Sequence, residues 1–368
     1  MNGSLILALM VQLLGAAPDP PTFARADAPR DWNLPSDHRA HPEYALEWWY
    51  LTGDLRSDSG ERFGYQATFF RTALAPLGAA ERSSPFAARE LILWHGSVTD
   101  VGRQRFLADA ELSRAAAGWA GASAETLEVR VGRHSLVARG PDRWELRAGV
   151  GDWRLELDFT LDRAPVLNGA TPGWSRKGAE KGNSSYYVSR VQLPTEGRLV
   201  APGGAVQVVR GRSWFDQEFG SSQLEEGQAG WDWFSMNLSD GHALMLYQLR
   251  DDEGVASPAS SGTWTRPDGS TRHLERGEFE IRVKESWTSP ESGATYPIAW
   301  ELRVPSLGLQ LRLQPVMRAQ ERGGDRHGGG VVYWEGLVDA EGSLQGRVVD
   351  GSGYVELVGY ASPFKLMR

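Results

Sequence analysis

The sequence predicts an all-β protein made of two antiparallel β-barrels or sandwiches of similar size. Short runs of alternating apolar and polar residues recur along the chain, and turn-forming residues separate them. The alternation of strands and helices that is typical of a parallel doubly wound sheet is missing. A turn-rich segment, residues 196–204, divides the runs into two groups of comparable length, so we expect one β unit on each side of it.

The composition excludes several classes of protein. The chain has 368 residues, of which 41% are hydrophobic, enough to form two cores. Its formal net charge of −8 offers no long-range attraction to nucleic acid, so we expect no nucleic-acid partner. Because the sequence has no cysteine, it cannot form disulfides or bind cysteine-ligated zinc. His38 and His41 have an HxxH spacing without a full set of ligands, and we predict neither a metal nor a cofactor.

The N-terminus predicts export. Residues 5–17 (LILALMVQLLGAA) form an apolar run that is too short to span a bilayer comfortably, as in a secretory signal peptide. Cleavage fits either at Ala16/Ala17 or at the A-x-A pattern that ends at Ala26, and an uncleaved anchor is the alternative. We assign residues 1–26 to the signal peptide and the Pro-rich residues 27–40 to an extended lead-in, and expect a periplasmic or secreted protein.

The strands follow in two groups. In the N-terminal unit, residues 41–198, the predicted strands are 46–55, 62–71, 90–98, 127–131, 135–138, 144–148 and 153–161. In the C-terminal unit, residues 199–368, they are 205–218, 230–238, 242–249, 262–265, 277–286, 298–304, 309–314, 331–338 and 353–360. The tripeptides at 239–241, 267–269 and 340–342 (SDG, PDG and AEG) predict hairpin turns.

The motif RSWFDQEF at residues 212–219 contains the highest density of residues suited to catalysis. Side chains alternate along a strand, so Trp214, Asp216 and Glu218 share one face. Two carboxylates about 7 Å apart on a half-buried face would raise the proton affinity of one of them, which makes a general acid. The alternative is a solvated polar face with Arg212 as counter-ion. The tryptophan beside the carboxylates favours an enclosed site.

Aromatic residues on other strands predict the walls of this site. Those on one face of a strand are Trp48 and Tyr50 in EWWY, Trp231 and Trp233 in WDWFSMN, and Tyr333 with Glu335 in VVYWEGLV. Such aromatic density is typical of core packing, but in a barrel the core and the ligand cavity can coincide. The alternation of Tyr and Glu also runs through GYVELVGY at the C-terminus. It would line a polar barrel interior or form cross-strand pairs on a solvent face.

Taken in order, these motifs resemble the AttH-like family. This group is often called predicted secreted hydrolases, and it is related to the carotenoid 1,2-hydratases, or hydroxyneurosporene synthases. The motifs are HPEYALEWWYLTGDL, RFGYQATFFR, SSYYVSR, GRSWFDQEFG, GWDWFSMNL, LMLYQLRD, YWEG and GYVELVGY, from about residue 41 to residue 360. The resemblance implies two lipocalin-like (calycin-type) antiparallel β-barrel domains packed together, in agreement with the strand pattern.

The hydratase branch implies acid-catalysed addition of water to a terminal trisubstituted double bond of an acyclic carotenoid. This chemistry needs a carboxylic acid that desolvation keeps protonated, aromatic faces that stabilise a cation, and an apolar tunnel. On this resemblance Asp216 is the proton donor, and Glu218 raises its pKa or orients water. Trp214, Trp231 and Trp233 line the cation site.

The sequence departs from the hydratase pattern beside Asp216 and at residues 186–187. Tyr186 and Tyr187 stand where hydratases tend to have a His-aromatic segment, and we expect both to contact the ligand. Gln217 replaces the histidine of the DHEWG form, and Phe219 replaces its tryptophan.

The leading hypothesis is an exported protein that binds a hydrophobic lipid or isoprenoid, with hydratase-like chemistry at Asp216. The second is a non-catalytic lipocalin-type carrier or an accessory subunit of an envelope ABC transporter. The third is a secreted ester or amide hydrolase, although no GxSxG or HExxH motif is visible. We expect the cavity between the two domains, since domain junctions are frequent ligand sites.

Overall fold

The computed structural model describes residues 21–79, 88–116, 118–222, 224–323 and 331–364, and strands make up most of them. The predicted signal sequence at residues 5–17 lies outside the described residues. Short 3₁₀ turns occur at Ser36–His38, Pro202–Gly204, Arg276–Glu278 and Pro305–Leu307. Over the described ranges we find no helix whose length and apolar character would let it cross a membrane. The predicted all-β class is confirmed.

The first antiparallel sheet contains thirteen strands within the described part of the chain. They are β1 (Leu46–Ser57), β2 (Arg62–Ala73), β3 (Glu90–Asp100), β4 (Arg105–Arg114), β5 (Ala120–Ala122), β6 (Glu128–Val131), β7 (His134–Ala138), β8 (Arg143–Val150), β9 (Trp153–Thr160), β10 (Val166–Leu167), β11 (Trp174–Arg176), β12 (Ser184–Val200) and β13 (Val206–Gly220). Their order is β4-β3-β2-β1-β13-β12-β9-β8-β7-β6-β5, and β10 and β11 pair with β12. Just beyond edge strand β4, Ala116 forms a bridge to Ala120 of the other edge strand, so the sheet curls into a nearly closed barrel.

The second antiparallel sheet contains ten strands within the described residues. They are β14 (Gln228–Leu238), β15 (Ala243–Asp251), β16 (Ser261–Thr265), β17 (Thr271–Glu275), β18 (Glu280–Thr288), β19 (Thr295–Val304), β20 (Leu309–Pro315), β21 (Glu321–Arg322), β22 (Tyr333–Leu344) and β23 (Arg347–Val358). Their order is β17-β16-β15-β14-β23-β22-β20-β19-β18, and β21 pairs with β22. The turn Arg276–Glu278 joins the two edge strands directly and brings the edges of this sheet together.

Apolar side chains occupy the interior of each barrel. The first core includes Trp49, Trp94 and Trp144, and the second includes Trp300 and Trp334, all of them almost fully buried. Because side chains alternate along a strand, the same strands also present an outer face. A third buried cluster forms where these outer faces pack against each other. We call this region between the two barrels the junction.

The division between the two sheets differs from the one predicted near residue 198. Strand β13 hydrogen-bonds to β1 and β12, and therefore belongs to the first sheet. The second sheet begins at Gln228, so the chain changes sheet after Gly220. The Gly-rich segment that predicted a boundary instead forms the tight connection between β12 and β13, with Gly203 and Gly204 at φ 84° and 88°.

One predicted hairpin turn is also displaced. Residues 340–342 lie inside β22, and the chain reverses at Gln345 and Gly346, which have φ values of 51° and 79°. Two consecutive residues with positive φ are typical of the type I′ turn of tight hairpins. The other two predicted turns are present, closing β14 onto β15 and β16 onto β17.

The end of the predicted lead-in, residues 27–40, packs against the first barrel. Asp37, His38 and Ala40 are buried. The indole Nε1 of Trp49 donates to the His38 carbonyl at 3.0 Å, and the His38 ring lies 2.9 Å from Gln217 Oε1. The proline content could not predict this packing, because proline is compatible both with disordered segments and with tight turns.

Candidate functional site

Strand β13 places two carboxyl groups in the junction. Asp216 and Glu218 alternate with Phe215 and Gln217, whose side chains point into the first barrel. Both acidic residues are buried, with 3% and 6% of their surface exposed. Arg212 donates to the Gln192 carbonyl at 2.9 Å. The face is therefore not the solvated polar surface that was the alternative.

The Asp216 carboxyl accepts three hydrogen bonds. Ser189 Oγ and Trp214 Nε1 donate to its Oδ1 at 2.5 and 2.7 Å, and Tyr187 Oη donates to its Oδ2 at 2.5 Å. Burial raises the pKa of Asp216 from 3.8 to about 7, although these hydrogen bonds favour the charged form. The carboxyl can therefore hold or release a proton near neutral pH.

Tyr187 connects Asp216 to the second sheet. Its Oη accepts a hydrogen bond from Trp233 Nε1 at 3.0 Å. Burial and the neighbouring Asp216 carboxyl raise the pKa of Tyr187 well above its ordinary value, so the phenol stays protonated. The hydroxyl thus lies between a carboxyl of one sheet and an indole of the other.

Glu218 has a different partner, which the sequence did not reveal. Lys177, in the loop between β11 and β12, lies 2.9 Å from Glu218 Oε1, and Ser185 also donates to this oxygen. Burial disfavours the ammonium, but Glu218, Tyr247 and Asp216 together outweigh burial and raise the pKa of Lys177. The ammonium lies 4.2 Å from the centre of the Tyr247 ring. Glu218 is therefore a member of a buried ion pair.

The second sheet contributes two further carboxyl groups, Glu335 on β22 and Glu356 on β23, which are cross-strand partners. Tyr50 Oη donates to Glu335 Oε1, and Trp231 Nε1 donates to Glu356 Oε2, each at 2.7 Å. Burial and the Glu356 carboxylate raise the pKa of Glu335 well above its ordinary value. Burial, with Asp216 and Glu218 nearby, raises the pKa of Glu356 to about 7. Glu356 was not among the predicted site residues, although it belongs to the Tyr-Glu alternation of GYVELVGY that the sequence analysis noted.

Aromatic rings pack among these carboxyl groups. The Trp233 ring meets Tyr50 edge-on at 5.0 Å and Trp214 edge-on at 6.2 Å. Trp48 is partly buried and packs on the same cluster. Tyr333 joins the two sheets through its hydroxyl, 3.0 Å from Nδ1 of His95. These predicted residues therefore come together in the junction.

Tyr186 does not join them. It is the strand neighbour of Tyr187, so its side chain lies on the opposite face of β12 and packs against Tyr44 and Phe219. Its hydroxyl donates to the Ala28 carbonyl at 2.7 Å. Tyr186 therefore lies apart from the other predicted ligand-contact residues, because two adjacent strand residues cannot both reach one side of a sheet.

Comparisons with known proteins agree with this architecture. The model of the AttH-like family matches residues 25–360. The crystal structure of an AttH from Nitrosomonas europaea is 31% identical in sequence, with a TM-score of 0.82, and the match covers 92% of this chain and 100% of that one. Kievitone hydratase from Nectria haematococca is 17% identical, with a TM-score of 0.68 and coverage of 93% and 97%, so the likeness is one of fold. No curated protein matches the chain. The protein has the lipocalin-like two-barrel fold of this hydratase and belongs to the AttH-like family.

Proposed function

We propose that the protein binds a hydrophobic isoprenoid or lipid in the junction and adds water to a carbon–carbon double bond, with Asp216 as the proton donor. The observation that carries this proposal is the Asp216 carboxyl itself, which is buried among aromatic side chains and has its pKa raised to about 7. A strongly perturbed carboxyl at a domain junction is typical of a functional site.

The proposed reaction begins with proton transfer. Protonated Asp216 transfers its proton to one carbon of the double bond, and the hydrogen bonds from Tyr187, Ser189 and Trp214 stabilise the carboxylate that remains. The other carbon becomes a cation, which the faces of Trp214 and Trp233 stabilise. A water molecule adds to this carbon and releases one proton, which returns to the Asp216 carboxylate. The net change is the addition of one water molecule, and the enzyme returns to its starting state.

Two other observations support hydration over simple ligand storage. Several carboxyl groups in one apolar junction cost folding free energy, and a carrier of apolar molecules has no need of them. Kievitone hydratase shares the fold, although the identity of 17% extends the comparison no further. The same proposal includes export of the protein to the periplasm or the medium. Apolar molecules are available to it in the cell envelope.

Lycopene, an acyclic carotenoid with terminal trisubstituted double bonds, is a direct test substrate. We expect wild-type protein incubated with lycopene in detergent and heavy-oxygen water to yield a product that carries the heavy oxygen. Asp216→Asn should bind lycopene but lose about 10²- to 10⁴-fold in turnover, the usual contribution of general acid catalysis.

The matched control is Asp232→Asn. Asp232 is also a buried aspartate, 5% exposed, but its carboxylate binds Arg250 and Tyr360 away from Asp216. Its substitution should leave turnover unchanged once thermal unfolding shows that the variant is folded at the assay temperature. Binding of lycopene by wild type and Asp216→Asn alike, without product, would instead support the non-catalytic carrier or transporter subunit.

A further inference from the structure

One carboxyl oxygen in the junction lacks a hydrogen-bond partner. Glu335 is 0% exposed, and its Oε1 accepts the hydrogen bond of Tyr50, but no group of the described chain bonds to its Oε2. Because burial and Glu356 keep this side chain protonated and Oε1 already accepts a proton, the acidic hydrogen belongs on Oε2. A buried donor without an acceptor is unfavourable, and such groups are rare in folded proteins.

The groups near Glu335 have other partners or, like the unpartnered Tyr354 hydroxyl, lie against another residue, in this case Gly64. The Tyr50 hydroxyl donates to Oε1, and Glu356 Oε2 accepts the hydrogen bond of Trp231. The Tyr333 hydroxyl lies against His95. Among the described residues the Glu335 proton therefore has no acceptor, and a molecule bound in the junction would supply one.

We propose that the ligand of the junction is an oxygenated apolar molecule, with a carbonyl or hydroxyl oxygen that accepts a hydrogen bond from Glu335 Oε2. This inference rests on the proposed function, because it takes the junction as the ligand site. It predicts that an oxygenated isoprenoid or lipid binds more tightly than a hydrocarbon such as lycopene.

The arrangement also gives the ligand a direction. Tyr50 is the cross-strand partner of Asp216 on β1 and β13, while its hydroxyl reaches Glu335 on the second sheet. A ligand whose oxygen lies at Glu335 therefore extends past the Tyr50 and Trp233 rings toward Asp216. The oxygen is held by one sheet, and the double bond is presented to the other.

Two matched probes test this inference by calorimetry. Geranylacetone carries a ketone and a terminal trisubstituted double bond, and its hydrocarbon analogue has a methylene group in place of the carbonyl. We expect wild-type protein to bind the ketone about tenfold more tightly, as one net hydrogen bond provides. Glu335→Gln should keep this preference because the amide N–H also donates, whereas Glu335→Leu should abolish it.

Tyr354→Phe is the control for general effects of repacking. Tyr354 lies on the neighbouring strand and its hydroxyl also lacks a partner, but this hydroxyl lies against Gly64, where an added Cβ would be 2.5 Å away. We expect this variant to retain the ketone preference. If Glu335→Leu unfolds because the Tyr50 hydroxyl loses its acceptor, the double variant Tyr50→Phe with Glu335→Leu removes both groups together.

The outcomes separate this inference from the proposed function. Equal binding of ketone and hydrocarbon by wild type overturns the inference and leaves the proposed function in place. Retention of the preference by Glu335→Leu, or its loss in Tyr354→Phe, also overturns it. Failure of both probes to bind contradicts the proposed site and this inference with it.

Discussion

Asp216 and Glu218 lie two residues apart on one strand, yet their neighbours give them different chemistry. Three neutral donors surround Asp216, and burial still raises its pKa to about 7. Glu218 instead pairs with the ammonium of Lys177 at 2.9 Å. The sequence predicted that both carboxyls share a face, since this follows from strand periodicity. It could not assign their roles, because Lys177 lies in a loop about forty residues away.

The raised pKa of Asp216 predicts how stability depends on pH. Between its unfolded value near 3.8 and its folded value of about 7, the folded protein binds a proton that the unfolded chain releases. The free energy of unfolding therefore falls as the pH rises through this range, by on the order of 4 kcal/mol from this residue. In Asp216→Asn, the free energy of unfolding should fall less between these pH values, by the amount that Asp216 contributes. Urea unfolding at about pH 4 and about pH 8 measures this difference. Identical pH profiles for the two proteins would contradict the assignment.

The Lys177–Glu218 pair predicts a strong energetic coupling. Replacing Lys177 with Met leaves a buried carboxylate without its cation, and we expect a loss of about 3 kcal/mol in the free energy of unfolding. The double variant with Glu218→Gln should recover most of this loss, because no charge then stays unpaired. Urea unfolding of the four proteins of the double-mutant cycle measures the coupling. Additive effects would show that the two side chains do not stabilise each other.

At the scale of elements, strand β12 shows how burial can hide a strand from the sequence pattern. Strand β12 was missed although it spans Ser184–Val200, because its first ten residues are all buried. The first barrel covers one face and the second barrel covers the other, so the period of two disappears from its sequence. Strand β1 of the junction is also buried on both faces, but its aromatic run EWWY made it recognisable.

Gly353 lies where strands β23 and β14 approach each other closely. A Cβ at Gly353 would lie 1.7 Å from the Ser235 carbonyl oxygen of β14, whose position is fixed by the β14–β23 ladder. We expect Gly353→Ala to lower the free energy of unfolding by about 3 kcal/mol through overpacking. Gly277→Ala, where no atom lies within 4 Å, should change it by less than about 0.5 kcal/mol. Equal melting temperatures of the two variants would contradict the close approach.

At the scale of the whole molecule, the two walls of the site come from distant parts of the chain. Tyr50 and Glu335 are hydrogen-bonded although they are 285 positions apart. The sequence motifs predicted most of the residues of each wall, since each motif is local. They could not predict which walls face each other, because that depends on how the completed barrels pack.

The packing of the N-terminal segment predicts where a signal peptide would be cleaved. The amide of Ala24 donates to the Glu43 carbonyl at 2.9 Å, and Trp174 Nε1 donates to the Ala26 carbonyl at 2.8 Å. Cleavage after Ala26 would remove both contacts, whereas cleavage after Ala17 keeps them. We therefore expect intact-mass spectrometry of exported protein to give a mature chain that begins before Ala24. A mature chain that begins at Asp27 would contradict this expectation.

The filled interiors of both barrels have an evolutionary consequence. In each barrel, tightly packed indole and aliphatic side chains such as Trp94 and Trp300 maintain the fold, while the groups proposed to contact the ligand lie on the outer faces. Substitutions that alter which molecule is accepted can therefore accumulate in the junction without rebuilding either core. Relatives can diverge in chemistry while they conserve their shape.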